Sequence, residues 1–105
     1  IATMAAAHVD PAKVKKIHLI QMNHLDVGFT DTAVNVVNLY FDKYFPQAIA
    51  VAQSLKERQG KERLVYTTHA WLVSLYLDCP ASVWAGLHCP SSANRAQFIK
   101  AIQVR

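Results

Sequence analysis

Two short, largely apolar runs frame a long amphipathic stretch in this chain of 105 residues. The first run, residues 14–22, reads VKKIHLIQM, and the second, residues 63–68, reads RLVYTT. Their length and their β-branched content favour buried strands of a parallel sheet. The sequence therefore predicts one strand in each run.

A long helix is predicted between the two runs, because apolar residues recur there at alternating steps of three and four. The predicted face consists of Val34, Val37, Phe41, Tyr44, Ala48, Val51 and Leu55. Thr30, Asp31 or Thr32 can cap the start of this helix. Pro46 lacks a backbone N–H and its ring crowds the preceding turn, so we expect a kink or a break there.

Two further helices are predicted after the second run. One covers residues 70–78 and is closed by Cys79-Pro80, and the other follows a loop over residues 80–90. Ser91 or Ser92 can cap the last helix, which contains Phe98.

The order strand, helix, strand predicts an α/β fold, with two parallel strands joined by a right-handed crossover. Two parallel strands are not a finished sheet, since their edges and faces need further partners. We therefore expect a partial parallel β/α catalytic domain: an incomplete βαβ-containing fragment of a β/α barrel-like domain. The chain begins with Ile1, and its last helix ends without a Gly or Pro stop signal, so truncation at both ends is expected.

Composition and charge indicate the general class of the protein but leave its compartment open. The chain is 52% hydrophobic and 17% charged, which is typical of a globular protein. Its net charge of +4 includes one basic cluster, Lys13, Lys15 and Lys16, which favours a solvated strand entry over a nucleic-acid surface. The apolar runs are too short for a membrane span. Residues 1–12 are interpreted as a leader or linker, either the tail of a signal peptide or a disordered segment, and the compartment stays open.

Cys79 and Cys89 leave two alternatives. They can form a disulfide in an oxidising compartment, or they can be two free, partly buried thiols. The chain has no Cys-x-x-Cys pair, so a zinc site built on thiolates is not expected.

His24 and Asp26 are the candidate residues for binding a metal ion. Residues two apart on an extended strand point to the same side, and this pair follows the first apolar run. An imidazole nitrogen and a carboxylate oxygen in one crevice suit zinc or a similar divalent ion, and Gly28 permits a turn or a close backbone approach. The alternative is a hydrogen-bonded His24 and an Asp26 that caps the next turn.

A succession of motifs resembles the amino-terminal part of glycoside hydrolase family 38, the α-mannosidase-like enzymes. The residues that carry the resemblance are NHLDVGFTD at 23–31, LYFDKYFP at 39–46 and RLVYTTHAWL at 63–72. The likeness is closest to a divergent branch whose motif reads His-Leu-Asp-Val-Gly-Phe. It implies that residues 13–105 are the truncated amino-terminal portion of a family 38-like catalytic domain.

The resemblance implies a zinc-dependent, retaining glycoside hydrolase. In that family the His and Asp of the first motif bind zinc at the base of the sugar pocket, which corresponds here to His24 and Asp26. Phe29 stands where the mannosidases commonly place a sugar-facing Trp, and Thr68 where they place an acidic residue. Phe29 and His69 are the candidate substrate contacts.

The family's catalytic Asp nucleophile and a further His ligand lie later than residue 105. The resemblance therefore implies a carbohydrate substrate, a Zn²⁺ cofactor and the rest of the parent domain as partner, and the 105 residues alone are expected to be inactive. Two alternatives remain. One is a metal-dependent carbohydrate deacetylase, whose metal would activate a water, and the other is a non-catalytic truncated module.

Overall fold

The fold consists mainly of helices joined by segments without regular secondary structure. A computed structural model describes residues 10–20, 22–80, 82 and 84–103. A short 3₁₀ turn, Pro11–Lys13, is followed by α1 (Ala33–Leu39), a π-helical segment (Tyr40–Tyr44), α2 (Phe45–Glu57), α3 (Ala70–Asp78) and α4 (Ser92–Gln103). More than half of the described residues lie in these elements. The predicted leader falls largely on residues 1–9, which are outside the described residues.

The predicted α/β fold, with a partial parallel β/α domain, is wrong. Within the described ranges, residues 14–20 and 62–66 belong to no strand and to no helix. A single isolated parallel bridge joins Met22 to Thr67. The physical reason is that β-branched, apolar sequences favour an extended backbone, whereas a sheet also needs neighbouring strands to complete its hydrogen bonds.

Apolar side chains in residues 14–20 and 62–66 are exposed to solvent. Ile17, Leu19 and Val65 have relative exposures of 82%, 79% and 83%. Residues of this kind normally lie inside a folded domain. The predicted strands are thus chemically suited to burial but are not buried by the part of the chain that the structure describes.

The predicted interruption at Pro46 takes the form of a π-helical segment. Tyr40–Tyr44 lies between α1 and α2, and the N–H of Phe45 donates to the carbonyl of Tyr40, five residues earlier. Pro46 cannot donate to Asp42, the residue four before it, and its ring would crowd that carbonyl. One wider turn relieves this crowding, so the helix continues without a break.

The buried face of the long helix agrees with the predicted face only in part. The buried residues are Val36, Val37, Tyr40, Phe41, Phe45 and Ile49. Val51, which was predicted to be on the apolar face, is 49% exposed, so that prediction is wrong. Val37, Phe41, Phe45 and Ile49 follow one another at steps of four, so most of the buried face keeps the helical period.

Phe45 lies at the centre of the core and is only 1% exposed. Its ring centroid lies 5.3 Å from that of Tyr76 on α3 and 5.0 Å from that of Phe98 on α4. Edge-to-face and tilted contacts of this kind stabilise aromatic clusters beyond simple area burial. The three rings therefore join α2, α3 and α4.

The predicted helices after the second run are confirmed. The structure bounds α3 at Ala70–Asp78, and α4 begins at Ser92. The Ser91 hydroxyl accepts a hydrogen bond from the N–H of Asn94 at 3.1 Å, as a helix cap does. At the long helix, the cap is Thr32, whose hydroxyl accepts from the N–H of Asn35 at 3.3 Å.

The loop between α3 and α4 is tethered to α1 and to the end of α3. Cys79 and Cys89 form a disulfide, with their Cα atoms 5.5 Å apart. The buried Asn38 donates to the carbonyl of Gly86 and accepts from the N–H of His88, both at 2.8 Å. The loop is thus held both covalently and by a buried amide.

None of the described helices combines the length and the apolarity needed to cross a lipid bilayer.

Candidate functional site

Leu25 explains why His24 and Asp26 share a side of the chain. Residues alternate in direction along an extended backbone. Leu25 is half-buried and packs against the core, so its two neighbours point away from the core. The local sequence His-Leu-Asp therefore presents an imidazole and a carboxylate together at the surface.

The two side chains lie close to each other. His24 Nε2 lies 3.4 Å from Asp26 Oδ1, and the side chains are 87% and 34% exposed. This separation exceeds the usual N–H···O hydrogen-bond distance of roughly 2.7–3.2 Å. The pair is thus in contact and open to solvent.

The pair fits two ligand positions of a zinc ion. Two ligands at the usual zinc distances of roughly 2.0–2.1 Å lie about 3.3 Å apart when coordination is tetrahedral. The observed separation of 3.4 Å is close to that value. The donor set, one imidazole nitrogen and one carboxylate oxygen, is also one that zinc accepts.

Two tyrosine hydroxyls contact this segment, one at the backbone of His24 and one at the side chain of Asn23. Tyr40 donates a hydrogen bond to the carbonyl of His24 at 3.1 Å, and the Asn23 amide donates to the Tyr66 hydroxyl at 2.9 Å. Burial, with smaller contributions from Tyr44 and Asp26, raises the pKa of Tyr40. The Tyr40 hydroxyl therefore remains protonated, and able to donate, well above neutral pH.

Phe29 lies in the turn that follows the pair, and its side chain is largely in solvent. It is 86% exposed. Gly28 in the same turn has φ +74°, a conformation that favours glycine, and a Cβ there would meet no atom within 4 Å. Gly28 therefore serves the turn rather than a close approach of the backbone.

His69 lies directly before α3. It follows the isolated bridge at Thr67 by two residues, just as His24 follows Met22 by two. Its carbonyl accepts from the N–H groups of Leu72 and Val73 at 3.0 and 3.2 Å. The bridge thus brings the segments that carry the two histidines alongside each other.

The structure does not assemble a complete metal-ligand set. Across the described ranges, no group of three or more His, Cys, Asp and Glu side chains is arranged to hold an ion. His69 therefore does not supply a third ligand to His24 and Asp26 in this arrangement.

A second His–Asp pair was not identified from the sequence. His88 Nδ1 lies 2.7 Å from Asp42 Oδ2, and both side chains are more than half exposed. Asp42 lies on the π segment and His88 on the loop before α4, 46 positions apart. The two residues are too far apart in sequence for a local pattern to predict this contact. Because the contact joins the loop to the π segment, we interpret it as one that stabilises the loop.

Tyr40 was also missed, although a signal for it exists. It belongs to the motif LYFDKYFP at 39–46 and lies next to predicted face residue Phe41. Tyr40 lies four residues after Val36 and three after Val37, so a regular helix already places it on the buried side, where it is 3% exposed.

Comparison of the chain with protein-family models, with curated proteins and with solved structures gave no match.

Proposed function

We propose that this chain supplies two zinc ligands, His24 and Asp26, to a zinc-dependent retaining glycoside hydrolase that resembles family 38. The observation that carries the proposal is the 3.4 Å separation of an exposed imidazole nitrogen and a carboxylate oxygen. This spacing suits adjacent ligands on a tetrahedral ion. The motif around the pair, NHLDVGFTD, supports the carbohydrate-cleaving class.

The chain's own residues have separate tasks in this proposal. His24 and Asp26 bind the ion, and Leu25 anchors the segment in the core. Phe29 and His69 are the proposed sugar contacts, since an aromatic ring offers an apolar face to sugar C–H groups. When bound, zinc supplies Lewis-acid and template chemistry toward the hydroxyls of the sugar.

The remaining catalytic groups must come from residues other than those described. A retaining mechanism needs a carboxylate nucleophile and a second carboxylic acid about 5–5.5 Å away. The family that the motifs resemble places its Asp nucleophile later than residue 105. We therefore expect the 105-residue chain alone to hydrolyse no aryl α-mannoside, and turnover by this chain would contradict the half-site assignment.

Zinc binding tests the proposal directly. The chain is titrated with Zn²⁺ against a chromophoric chelator, in parallel with His24→Ala and with the matched control His18→Ala. His18 is another exposed histidine, on the segment before the motif. We expect His24→Ala to weaken zinc binding at least tenfold and His18→Ala to leave it unchanged, since a lost ligand or its support typically costs 10–100-fold. Equal zinc binding by the wild type and His24→Ala would overturn the proposal.

The coding sequence beyond Arg105 distinguishes this proposal from a carbohydrate deacetylase. The glycosidase predicts an Asp-bearing motif roughly a hundred residues after His24, and a single late His. A downstream His-x3-His pair would instead favour the deacetylase, in which the metal activates a water.

A further inference from the structure

Tyr40 connects the hydrophobic core to the backbone of the candidate metal pair. Its ring is 3% exposed, and its hydroxyl donates to the His24 carbonyl at 3.1 Å. The two residues are 16 positions apart, so the contact belongs to the tertiary structure and not to the local turn. The hydroxyl of the buried Tyr40 thus contacts the backbone of His24, whose imidazole is exposed to solvent.

A second tyrosine holds the residue before His24. The Asn23 side chain donates to the Tyr66 hydroxyl at 2.9 Å. Tyr40 and Tyr66 both contact the ring of Phe45, with centroid distances of 6.0 and 6.3 Å. Since Phe45 is the centre of the core, neither hydroxyl can move far unless the core rings move as well.

These contacts restrain the backbone of the segment that carries His24 and Asp26. Tyr40 fixes the carbonyl of His24, which is part of the peptide unit that leads into Leu25. Leu25 is in turn held by the core. The backbone is therefore restrained at His24 and at Leu25, immediately before the second ligand position, Asp26.

We propose that Tyr40 is a positioning residue, whose hydroxyl holds the His24 carbonyl and thereby keeps the His24 imidazole and the Asp26 carboxylate at ligand spacing. The metal-binding part of this inference rests on the proposed function. The restraint on the backbone does not, and it can be measured without metal. Preorganised ligands bind more tightly because less freedom is lost on binding.

The test compares Tyr40→Phe with the matched control Tyr44→Phe. Both variants keep the aromatic ring, and the two rings contact each other at a centroid distance of 4.9 Å. Only the first variant removes the hydroxyl that donates to His24. Asn23→Ala is a third variant at an exposed position, which removes the other anchor without changing the core.

Two quantities are measured for each variant of the full chain. The first is the dissociation constant for Zn²⁺, obtained by chelator competition. The second is hydrogen–deuterium exchange of peptides that cover residues 22–29, measured by mass spectrometry without metal. We expect Tyr40→Phe to weaken zinc binding about two- to tenfold, as the net loss of one hydrogen bond implies, and to speed exchange in residues 22–29. Tyr44→Phe should change neither quantity.

The outcomes separate this inference from the proposed function. If the wild type binds no zinc but Tyr40→Phe speeds exchange at residues 22–29, the positioning holds and the metal assignment fails. If the wild type binds zinc and Tyr40→Phe matches Tyr44→Phe in both measurements, the positioning is overturned and the metal assignment stands. If Tyr40→Phe does not fold, the wild type decides: exchange at residues 22–29 as fast as in an unstructured peptide would show that the His24 backbone is not restrained and would overturn the inference.

Discussion

Replacing Asn38 with Ala should destabilise the protein more than any exposed polar substitution on the same helix. Asn38 is the buried polar residue of α1, and its amide makes two hydrogen bonds to the loop before α4. Ala removes both bonds and leaves the Gly86 carbonyl and the His88 N–H in a partly buried setting without that partner.

The magnitude follows from the two lost bonds. Each contributes a net of about 0.5–1.5 kcal/mol, and an unsatisfied buried partner moves the cost toward the upper end of that range. The Asn38→Ala variant should therefore lose about 2–3 kcal/mol of its free energy of unfolding. For a domain of this size, with an m-value of roughly 1–1.5 kcal/mol/M in urea, the midpoint should fall by about 1.3–3 M.

Urea denaturation followed by circular dichroism measures this loss, with the Cys79–Cys89 disulfide intact in every sample. Asn35→Ala is the matched control, since Asn35 lies on the same helix, is exposed, and its side-chain amide donates to nearby Asp31 at 2.9 Å. We expect the control to change stability by less than about 0.5 kcal/mol. Equal midpoints for Asn38→Ala and Asn35→Ala would show that the amide does not hold the loop.

Three further predictions concern the core, the disulfide and alkaline pH. Phe45→Ala should cost about 3–5 kcal/mol in the same urea assay because a fully buried aromatic ring is lost, whereas the exposed Phe29→Ala should stay within about 0.5 kcal/mol; equal costs would contradict the assigned core. Reduction of the Cys79–Cys89 disulfide, which spans a sequence separation of 10, should lower the unfolding free energy by about 2–3 kcal/mol, and an unchanged urea midpoint in dithiothreitol would contradict this. Burial is the first cause that raises the pKa of Tyr40, Tyr66 and Tyr76 above 10.0. Their stabilising contribution should be complete below pH 10 and lost as pH rises through the higher folded pKa values, as thermal unfolding from pH 9 to 12 with absorbance at 295 nm can show.

Local periodicity was sufficient to predict the helices. The caps at Thr32 and Ser91 and the bounds of α3 depend on residues within a few positions of each other. The position of the interruption was also predictable, because the missing N–H of Pro46 is a property of one residue. Its form as a π segment was not, since the choice between a break and a wider turn depends on which rings the core accepts.

The sheet could not be predicted correctly from the two apolar runs. Alternating and β-branched residues indicate an extended backbone, but strands form only where other strands supply hydrogen-bond partners. The described residues provide one isolated bridge, Met22 to Thr67. The prediction treated the local preference of each run for an extended backbone as evidence for a sheet, which forms only when strands pair in the folded protein.

The candidate site was predictable only where its parts are neighbours in sequence. His24 and Asp26 are two residues apart, so their common direction follows from an extended backbone. The Tyr40–His24 and Asp42–His88 contacts span 16 and 46 positions. Such contacts depend on how α1, the π segment and the loops pack, which no short motif encodes.

The exposed apolar side chains of residues 14–20 and 62–66 affect how the protein should behave at high concentration. Residues 14–20 belong to no strand or helix and expose Ile17, Leu19 and Ile20. Exposed apolar segments of this kind can pair with another extended chain. Concentrated samples should therefore form intermolecular sheets, visible as rising light scattering and thioflavin fluorescence. Experiments in the low micromolar range, or Lys substitutions at Leu19 and Val65, should keep the sample monodisperse.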